Sequence, residues 1–495
     1  MWRAAFLIAS QSFLFGFVFS CLNACLVTGD NNKGSDCFNN TDNSCPRGTM
    51  YNDINLSTLE AQLATSLTIV GAWVGSLVGS IPSQQYGKRL TLIGNSSFFI
   101  IGAALSCTGN IYALFAGRLV SGVGVGIASG IPSVLLSEIA TPATRGTITT
   151  VHQIMVTFGI FMAAVMGYGF CTYVDHGWQL IQAFGAVPAI FMIIMQGHVP
   201  ESPKWQLMQT DISLPSAISS MHRMNRDEEL ELDSSSSTSS AVTAAMQHEM
   251  FGLGADVTWT EVFNYKLGMT VGLGLMIFQA LTGVNSVIFY STTIFGLAGF
   301  SESIIGTSCV GLVNLLMTVL TAYLIDIMGR KILLLTGTYM MLFALLTLSS
   351  VLVSPIDSGI QGVVAVLAVL FYIAGFAMGL GAVVWSVLSE IMPTRLRVKA
   401  ISLFLSFNWG SNLIIGLLTL TAIDELGGVE NSMDDDETAD AQKKGVAYMY
   451  FIFASITALS LVFMHFFVPE TKGKTVEELS GKGGGAYAPL LAREK

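Results

Sequence analysis

Long uninterrupted apolar runs separated by short polar stretches dominate the chain. Runs of about the 20 residues that a helix needs to cross a bilayer lie near 4–27, 57–81, 90–108, 112–136, 149–170, 178–199, 266–290, 302–326, 332–353, 361–391, 398–424 and 445–468. They do not alternate apolar and polar residues as barrel strands do. A helix is the unclosed element that satisfies its own backbone inside lipid. The pattern therefore predicts an all-α membrane protein with twelve transmembrane helices. The first run starts almost at Met1, behind the single Arg3, as a signal peptide does. It is longer than a signal core and has no small-x-small cleavage site before the Asn31 to Asp36 loop, which predicts a retained first helix.

Composition agrees, with 52% of the 495 residues hydrophobic and 11% charged. Charge adds orientation. Of the 23 Lys and Arg residues, Lys33, Arg47, Lys443 and Lys444 fall on one side of this map, Arg118 falls within a run, and the other 18 share the opposite side. The positive-inside rule makes that side cytoplasmic and puts both termini there, with the plasma membrane the expected location. The acidic stretch from Asp434 to Asp440 then faces outward as a solvated linker, so the net charge of −10 says little about partners. The lipid bilayer is the expected surrounding, no nucleic acid is expected, and the protein is expected to work as a monomer. The seven cysteines are scattered without a metal-ligand spacing, so no metal is expected. Cys37 and Cys45 share the outward loop, where they can form a disulfide or stay as two thiols. Asn39-Asn40-Thr41 is a glycosylation sequon in that loop, whereas Asn95-Ser96-Ser97 falls inside a run and is expected to stay bare.

Three motifs recur in the same order. Tyr86-Gly87-Lys88-Arg89 is matched by Met328-Gly329-Arg330-Lys331, and Ser137-Glu138-Ile139 by Ser389-Glu390-Ile391. Pro200-Glu201-Ser202-Pro203-Lys204 is matched by Pro469-Glu470-Thr471-Lys472. A six-helix unit used twice in parallel is the layout of major facilitator carriers, whose halves rock about a site near the midplane. The expected division is an N-terminal six-helix half over 1–203, a cytoplasmic linker with short helices over 204–264, a C-terminal half over 265–470, and a tail over 471–495. Lys88, Arg89, Arg145, Arg330, Lys331 and Arg397 flank Glu138, Glu201, Glu390 and Glu470 at the cytoplasmic ends. Headgroup anchoring explains the bases but not the glutamates beside them, so these groups are expected to pair across the two halves and latch the inner side when the carrier opens outward.

Uncharged groups inside the runs suggest the cargo. A sugar is neutral and covered with hydroxyls, and amide side chains both donate and accept hydrogen bonds. Gln153, Gln279, Asn285, Asn314 and Asn408 lie within runs, and Trp385 offers a flat apolar face with one N–H donor. Each amide alone is as well explained as glue between helices; their concentration in both halves favours a polar cavity. On a straight helix Gln279 and Tyr290 share a face, with Asn285 about 120° away. A break near Gly283 would bring all three to one cavity. Gly375, Gly379 and Gly381 before Trp385 can form a hinge or a close helix contact. No nucleophile, base and orienter fall at a plausible spacing, and His152 reads as a packed helix residue, so enzymatic function is not expected.

With these residues in view, the chain resembles the glucose-transporter, or sugar porter, branch of the major facilitator superfamily. The resemblance covers nearly the whole length. It rests on Gly117-Arg118, Glu138, Arg145-Gly146, His152-Gln153, Pro200 to Lys204, Gln279 to Tyr290, Asp326 to Lys331, Trp385, Glu390, Asn408-Trp409 and Pro469 to Gly473. It implies that Gln153, Gln279, Asn285, Asn314 and Trp385 match positions that contact the hexose. Asn285 and Tyr290, with Phe289 beside it, would serve the outer gate, and no cofactor is implied. Ala280, Ala377 and the stretch Gly379 to Val384 depart from the family pattern, which bears on substrate preference. Proton-coupled members carry an aspartate early in the first helix, in a Gly-aromatic-Asp pattern, near the arginine that opens the fourth. Here Gly16-Phe17 is followed by Val18, and no Asp or Glu lies between Ala4 and Val27. The expected function is facilitative hexose transport by alternating access. A proton-coupled symporter and a sugar sensor on the same fold are the alternatives, the short tail speaking against the sensor.

Overall fold

The computed structural model describes residues 2–26, 48–54, 56–140, 145–202, 205–206, 258–287, 303–428 and 435–472. Asn39, Cys37, Cys45, Phe289, Tyr290, most of the linker and the tail beyond Lys472 lie outside the described residues, as does the side chain of Arg145.

Among the described residues, 12 helices are long and apolar enough to cross a membrane. They are α1 (Arg3–Leu22), α2 (Leu59–Gln85), α3 (Lys88–Ser106), α4 (Ile111–Ile139), α5 (Ile148–Tyr173) and α6 (Gly177–Ile194), then α7 (Lys266–Val287), α8 (Ser308–Met328), α9 (Arg330–Val353), α10 (Gly359–Ile391), α11 (Leu396–Thr419) and α12 (Asp440–Phe467). Each overlaps one of the runs read from the sequence. Large apolar side chains such as Ile101, Leu316, Phe343 and Leu418 remain exposed, which suits a surface solvated by lipid tails and not by water. The protein is an integral, multi-pass membrane protein.

Local chemistry sets where helices begin. Ser57 opens α2 with a capping box, its hydroxyl accepting from Glu60 N–H while the Glu60 carboxylate accepts from Ser57 N–H. Asn110 opens α4 by accepting from the backbone of Tyr112 and Ala113. α3 and α9 start differently and alike. Gly87 and Gly329 hold φ of 90° and 91°, a region that favours glycine. The helix N–H groups that follow are capped from a distant segment: Glu201 accepts from Lys88 N at 3.0 Å and Arg89 N at 3.1 Å, and Glu470 from Arg330 N and Lys331 N at 3.0 Å each. A Cβ on either glycine would run into that carboxylate. The repeat seen in the sequence is thus one device built twice, an acid seated on a helix N-terminus.

In the first six helices α1 packs on α5, and α4 on α2 and α3; in the last six α9 packs on α10 and α12, and α11 on α7 and α12. The two sets meet along α5 with α8 and along α2 with α11. These pairs are equivalent under the repeat, since α2 corresponds to α8 and α5 to α11. Backbones approach closely where α9 meets α10, because Gly337 leaves no room for a Cβ opposite Gly375 and Gly379.

Candidate functional site

α7 is broken where the sequence suggested. Its regular ladder runs from Lys266 to Leu281, turns at Thr282 and Gly283, and resumes with Val287 N–H donating to Gly283 O. Gly283 holds φ of 90°, and the Phe453 ring packs where a Cβ would project. α10 is irregular too, with a π-helical stretch over Ala377–Gly381 between two α-helical parts. Such a stretch widens the helix and turns carbonyls away from their usual partners. The Leu380 carbonyl accepts from Gln279 Nε2 at 2.6 Å. Of the α10 glycines, Gly379 and Gly381 lie in this irregular stretch, and Gly375 and Gly379 make the close contact with Gly337.

Gln153 from α5, Gln279 and Asn285 from α7, Asn314 from α8, Trp385 from α10 and Asn408 from α11 line one partly open cavity, with about 670 Å³ of atom-free space counting its mouth. Phe15, Phe19, Ser129, Trp409 and Asn412 complete its polar and aromatic wall. Asn412 was not singled out from the sequence, although it lies one turn beyond Asn408 on the same face. Phe15 and Phe19 stack their edges on Trp409 at 5.8 and 5.7 Å between ring centroids. Apart from their i, i+4 spacing, nothing in the sequence separates these two phenylalanines from the lipid-facing ones.

The amides divide into two groups. Those of α7 and α11 form a chain: Asn285 donates to Asn412, Asn412 Nδ2 to Asn408 Oδ1 at 3.0 Å, and Asn408 Nδ2 to Gln279 Oε1 at 3.0 Å and to Met276 O at 2.8 Å. Gln279 closes the chain on Leu380 O. Hydrogen bonds linked in this way hold each amide in one orientation. The second group is unpaired: Gln153 makes no side-chain hydrogen bond among the described residues, and Asn314 Oδ1 is buried without a partner. Beside them His152 bonds Ser12 Oγ through Nδ1 at 2.7 Å and meets the Trp385 ring edge to face at 5.2 Å. His152 is a packed residue that supports the Trp385 wall. A gap of about 350 Å³ between α2, α4 and α11 reaches Lys88, and Leu405 lines both spaces.

Among the described residues the charged clusters pair within each half, and the Arg145 side chain, part of the expected latch across the halves, lies outside them. Lys88 Nζ pairs with Glu138 at 2.8 Å, and Arg330 Nη2 with Glu390 at 2.8 Å. Ser202 Oγ donates to Glu138 and Thr471 Oγ1 to Glu390. Glu201 and Glu470 cap α3 and α9, as described above. Each of these contacts stays within one half, because a base at the start of the third or ninth helix faces the end of the fourth or tenth in its own unit. Arg397 donates Nη2 to Met392 O at 3.2 Å, also within its half. Between described residues, neutral bonds cross between the halves: Trp73 Nε1 donates to Ser406 Oγ at 2.9 Å, Ser402 Oγ to Ser76 O, and Trp409 Nε1 to Ser129 Oγ at 3.4 Å. The capping acids also differ. Burial pushes the Glu201 carboxyl above the usual range against its backbone N–H bonds. At Glu470 burial acts the same way, but bonds from the Lys472, Arg330 and Lys331 backbones outweigh it and hold the carboxyl below that range.

Arg118 is buried at 1% exposure. Its Nη1 donates to the Val18 carbonyl at 3.0 Å and to Cys21 Sγ at 3.4 Å. Val18 thus meets the arginine through its backbone, and no ion pair between described residues includes Arg118.

The Sugar (and other) transporter family model matches residues 4–482. The plastidic glucose transporter 4 of Arabidopsis thaliana is 30% identical over 425 residues, 85% of this chain and 72% of that protein. The arabinose-proton symporter of Bacillus subtilis is 28% identical over 440 residues, 86% and 87% of the two chains. The fold matches a double-tryptophan variant of the E. coli transporter XylE with a TM-score of 0.76, at 23% identity over 97% of this chain and 98% of that one. Twelve spanning helices, a repeated six-helix unit and an amide-lined cavity belong together here: the chain is a member of the Sugar (and other) transporter family.

Proposed function

We propose that the protein is a facilitative carrier of hexoses, glucose among them, that works by alternating access. The unpaired Gln153 amide and Asn314 carbonyl oxygen beside the Trp385 face support a hydroxyl-bearing, uncharged cargo. Hydroxyls can bond those free groups, and the ring's C–H face can stack on the indole. The amide chain in the same cavity presents fixed acceptors and donors, so little orientational entropy is lost when the sugar arrives.

The contact of Arg118 with the Val18 carbonyl carries the uniport assignment. Proton coupling needs an ionisable group in the membrane whose charge follows the transport cycle. At the point on α1 nearest Arg118 there is a valine, which cannot bind a proton. Glu138 and Glu390 are held in ion pairs at helix ends, and Asp326 pairs with Arg330 at 3.3 Å. The second candidate for coupling is His152, whose Nε2 is buried without a partner. Protonating it would bury a charge with no carboxylate bonded to it, which opposes that role. Since a relative is a proton symporter, likeness does not decide the mechanism; these contacts favour facilitation.

Neutral bonds across the α2 and α11 seam suit a rocking motion. Such bonds are worth about 0.6 kcal/mol each in membranes, so a handful can break and re-form in each cycle. The division at 203 and 265, the cytoplasmic termini, a plasma-membrane location and monomeric action belong to the same proposal. It is tested by uptake of labelled D-glucose into vesicles holding the purified protein, with a panel of unlabelled sugars as competitors. Saturable uptake blocked by hexoses supports the proposal. Uptake blocked by pentoses or disaccharides and not by hexoses contradicts the substrate class, and specific binding without uptake makes the protein a sensor.

A further inference from the structure

A helix that breaks inside the membrane leaves carbonyls that need donors, and each unmet one costs free energy in lipid. The break in α7 does this at Thr282. Its N–H still bonds back to Phe278 O, and its hydroxyl to Gln279 O. Its carbonyl accepts no backbone N–H among the described residues, since the ladder resumes one residue later, from Val287 to Gly283. The hydroxyl of Tyr372 on α10 donates to it at 2.9 Å. Tyr372 is 2% exposed and Thr282 fully buried, so water does not compete for this bond.

The position of Tyr372 gives the bond a consequence. α10 touches α7 through hydrogen bonds at two places: Leu380 O receives Gln279 from the regular part of α7, and Tyr372 holds Thr282 O at the break. The short turn beyond the break, 284–287, carries Asn285, and Asn285 heads the amide chain that runs through Asn412 and Asn408 to Gln279. Among the described residues its other polar attachments are side-chain ones, Asn285 to Asn412 and the Tyr450 hydroxyl beside Ser286, and neither holds the backbone at the break. Gly283 supplies the bend and the Phe453 ring covers it from one side, but neither is directional.

We propose that Tyr372 is a positioning residue for the sugar site: by donating to the carbonyl exposed at the α7 break, it fixes the angle of the 284–287 turn and so sets Asn285 against the cavity. Tyr372 itself does not line the cavity, and its effect on the cargo passes through Asn285. The inference rests on the carrier proposal for its sugar readout, and on the fold alone for its backbone readout.

Tyr372→Phe keeps the ring and removes only the hydroxyl, so the variant is expected to fold. Two measurements on the reconstituted full chain decide the matter. Hydrogen–deuterium exchange without sugar reports on the turn. Amides at 284–287 are expected to exchange about two- to tenfold faster, the range for losing one hydrogen bond, while those at 270–276 in the regular part of α7 stay unchanged. Equilibrium binding of labelled D-glucose reports on the site. The dissociation constant is expected to rise about two- to tenfold in Tyr372→Phe, and to show no further rise when the substitution is made in Asn285→Ala. Unchanged exchange at 284–287, or an equal loss of affinity in both backgrounds, overturns the proposal. If the parent protein does not bind D-glucose, the proposed substrate has failed and the exchange result still decides the role of Tyr372.

Discussion

Gln153 and Asn408 face the same cavity but are built in differently, and truncating each to alanine should separate recognition from support. Asn408 makes three side-chain bonds, donating to Met276 O and Gln279 Oε1 and accepting from Asn412. At about 0.6 kcal/mol for each such bond in a membrane protein, Asn408→Ala loses about 2 kcal/mol. Leaving the partners buried and unpaired adds to that, at about 1–3 kcal/mol for each group that finds no substitute. Gln153 bonds nothing described, so Gln153→Ala removes no bond from the resting protein, and its stability should stay within about 1 kcal/mol of the parent. On the proposed function, what Gln153→Ala loses is a bond to the cargo, about 0.5–1.5 kcal/mol, which should raise the dissociation constant about two- to tenfold. The assay pairs thermal unfolding in detergent with equilibrium binding of labelled D-glucose to the same preparations. Asn408→Ala should melt several degrees lower, and Gln153→Ala should melt as the parent does but bind more weakly. Equal melting losses in the two variants, or parental affinity in Gln153→Ala, would refute the division of the amides into a supporting chain and a free contact.

Other outcomes follow from the same contacts. Glu390→Gln replaces the carboxylate that accepts from Arg330, Ser386 and Thr471; it should lower the melting midpoint by an amount equivalent to about 1.5–3 kcal/mol, the range for a bond to a charged group, and a midpoint equal to the parent's would show that the pair adds nothing. Gly283→Ala forces a non-glycine residue to φ of 90° against the Phe453 ring, so it should cost at least about 1–2 kcal/mol of stability, read in the same melting assay, where a neutral result would mean the bend does not need glycine. Acidification should weaken the α9 cap: the Glu470 carboxyl is held below the usual range, so its contribution is present above the ordinary carboxylate range and lost as pH falls through and below it. Glu470→Gln should flatten that part of the stability profile, and an unflattened profile assigns it to other groups. A glycan is expected at Asn39 and not at Asn95, which is 1% exposed and donates to Gln11 and Gly124; a glycosidase-sensitive mobility shift that persists in Asn39→Gln would move the glycan elsewhere.

The fold was legible because membrane spans are long and apolar and because the motifs repeat. A stretch such as 332–353 admits one physical interpretation, and the pair Gly87 and Gly329 marks equivalent turns that share a backbone conformation. The cavity was legible through its chemistry, since an amide inside lipid needs a partner and several amides can share a polar space. Orientation was not legible. Glu201 and Glu470 stand beside bases in the sequence, yet they point at backbone N–H groups of their own half, a preference for helix N-termini that neighbouring residues do not reveal. The same holds for Asn412, whose role depends on the side chains of α7 that meet it. The π-helical stretch in α10 packs closely against Gly337 of α9, a contact between distant parts of the chain that no local pattern displays. The partner of Arg118 was foreseen only as an absent acid; the Val18 carbonyl in its place is a backbone group, which no residue pattern encodes.

The assignment as a passive carrier rests on Arg118 bonding a backbone carbonyl where a coupled carrier would need a carboxylate, and vesicle transport addresses it without mutation. Purified protein in sealed vesicles is given labelled D-glucose with and without an imposed pH gradient, each with a protonophore control. Facilitation predicts that sugar inside rises to the outside concentration and no further, with the same end point in all four conditions. Accumulation above the outside concentration that appears with the pH gradient and is abolished by the protonophore would contradict it.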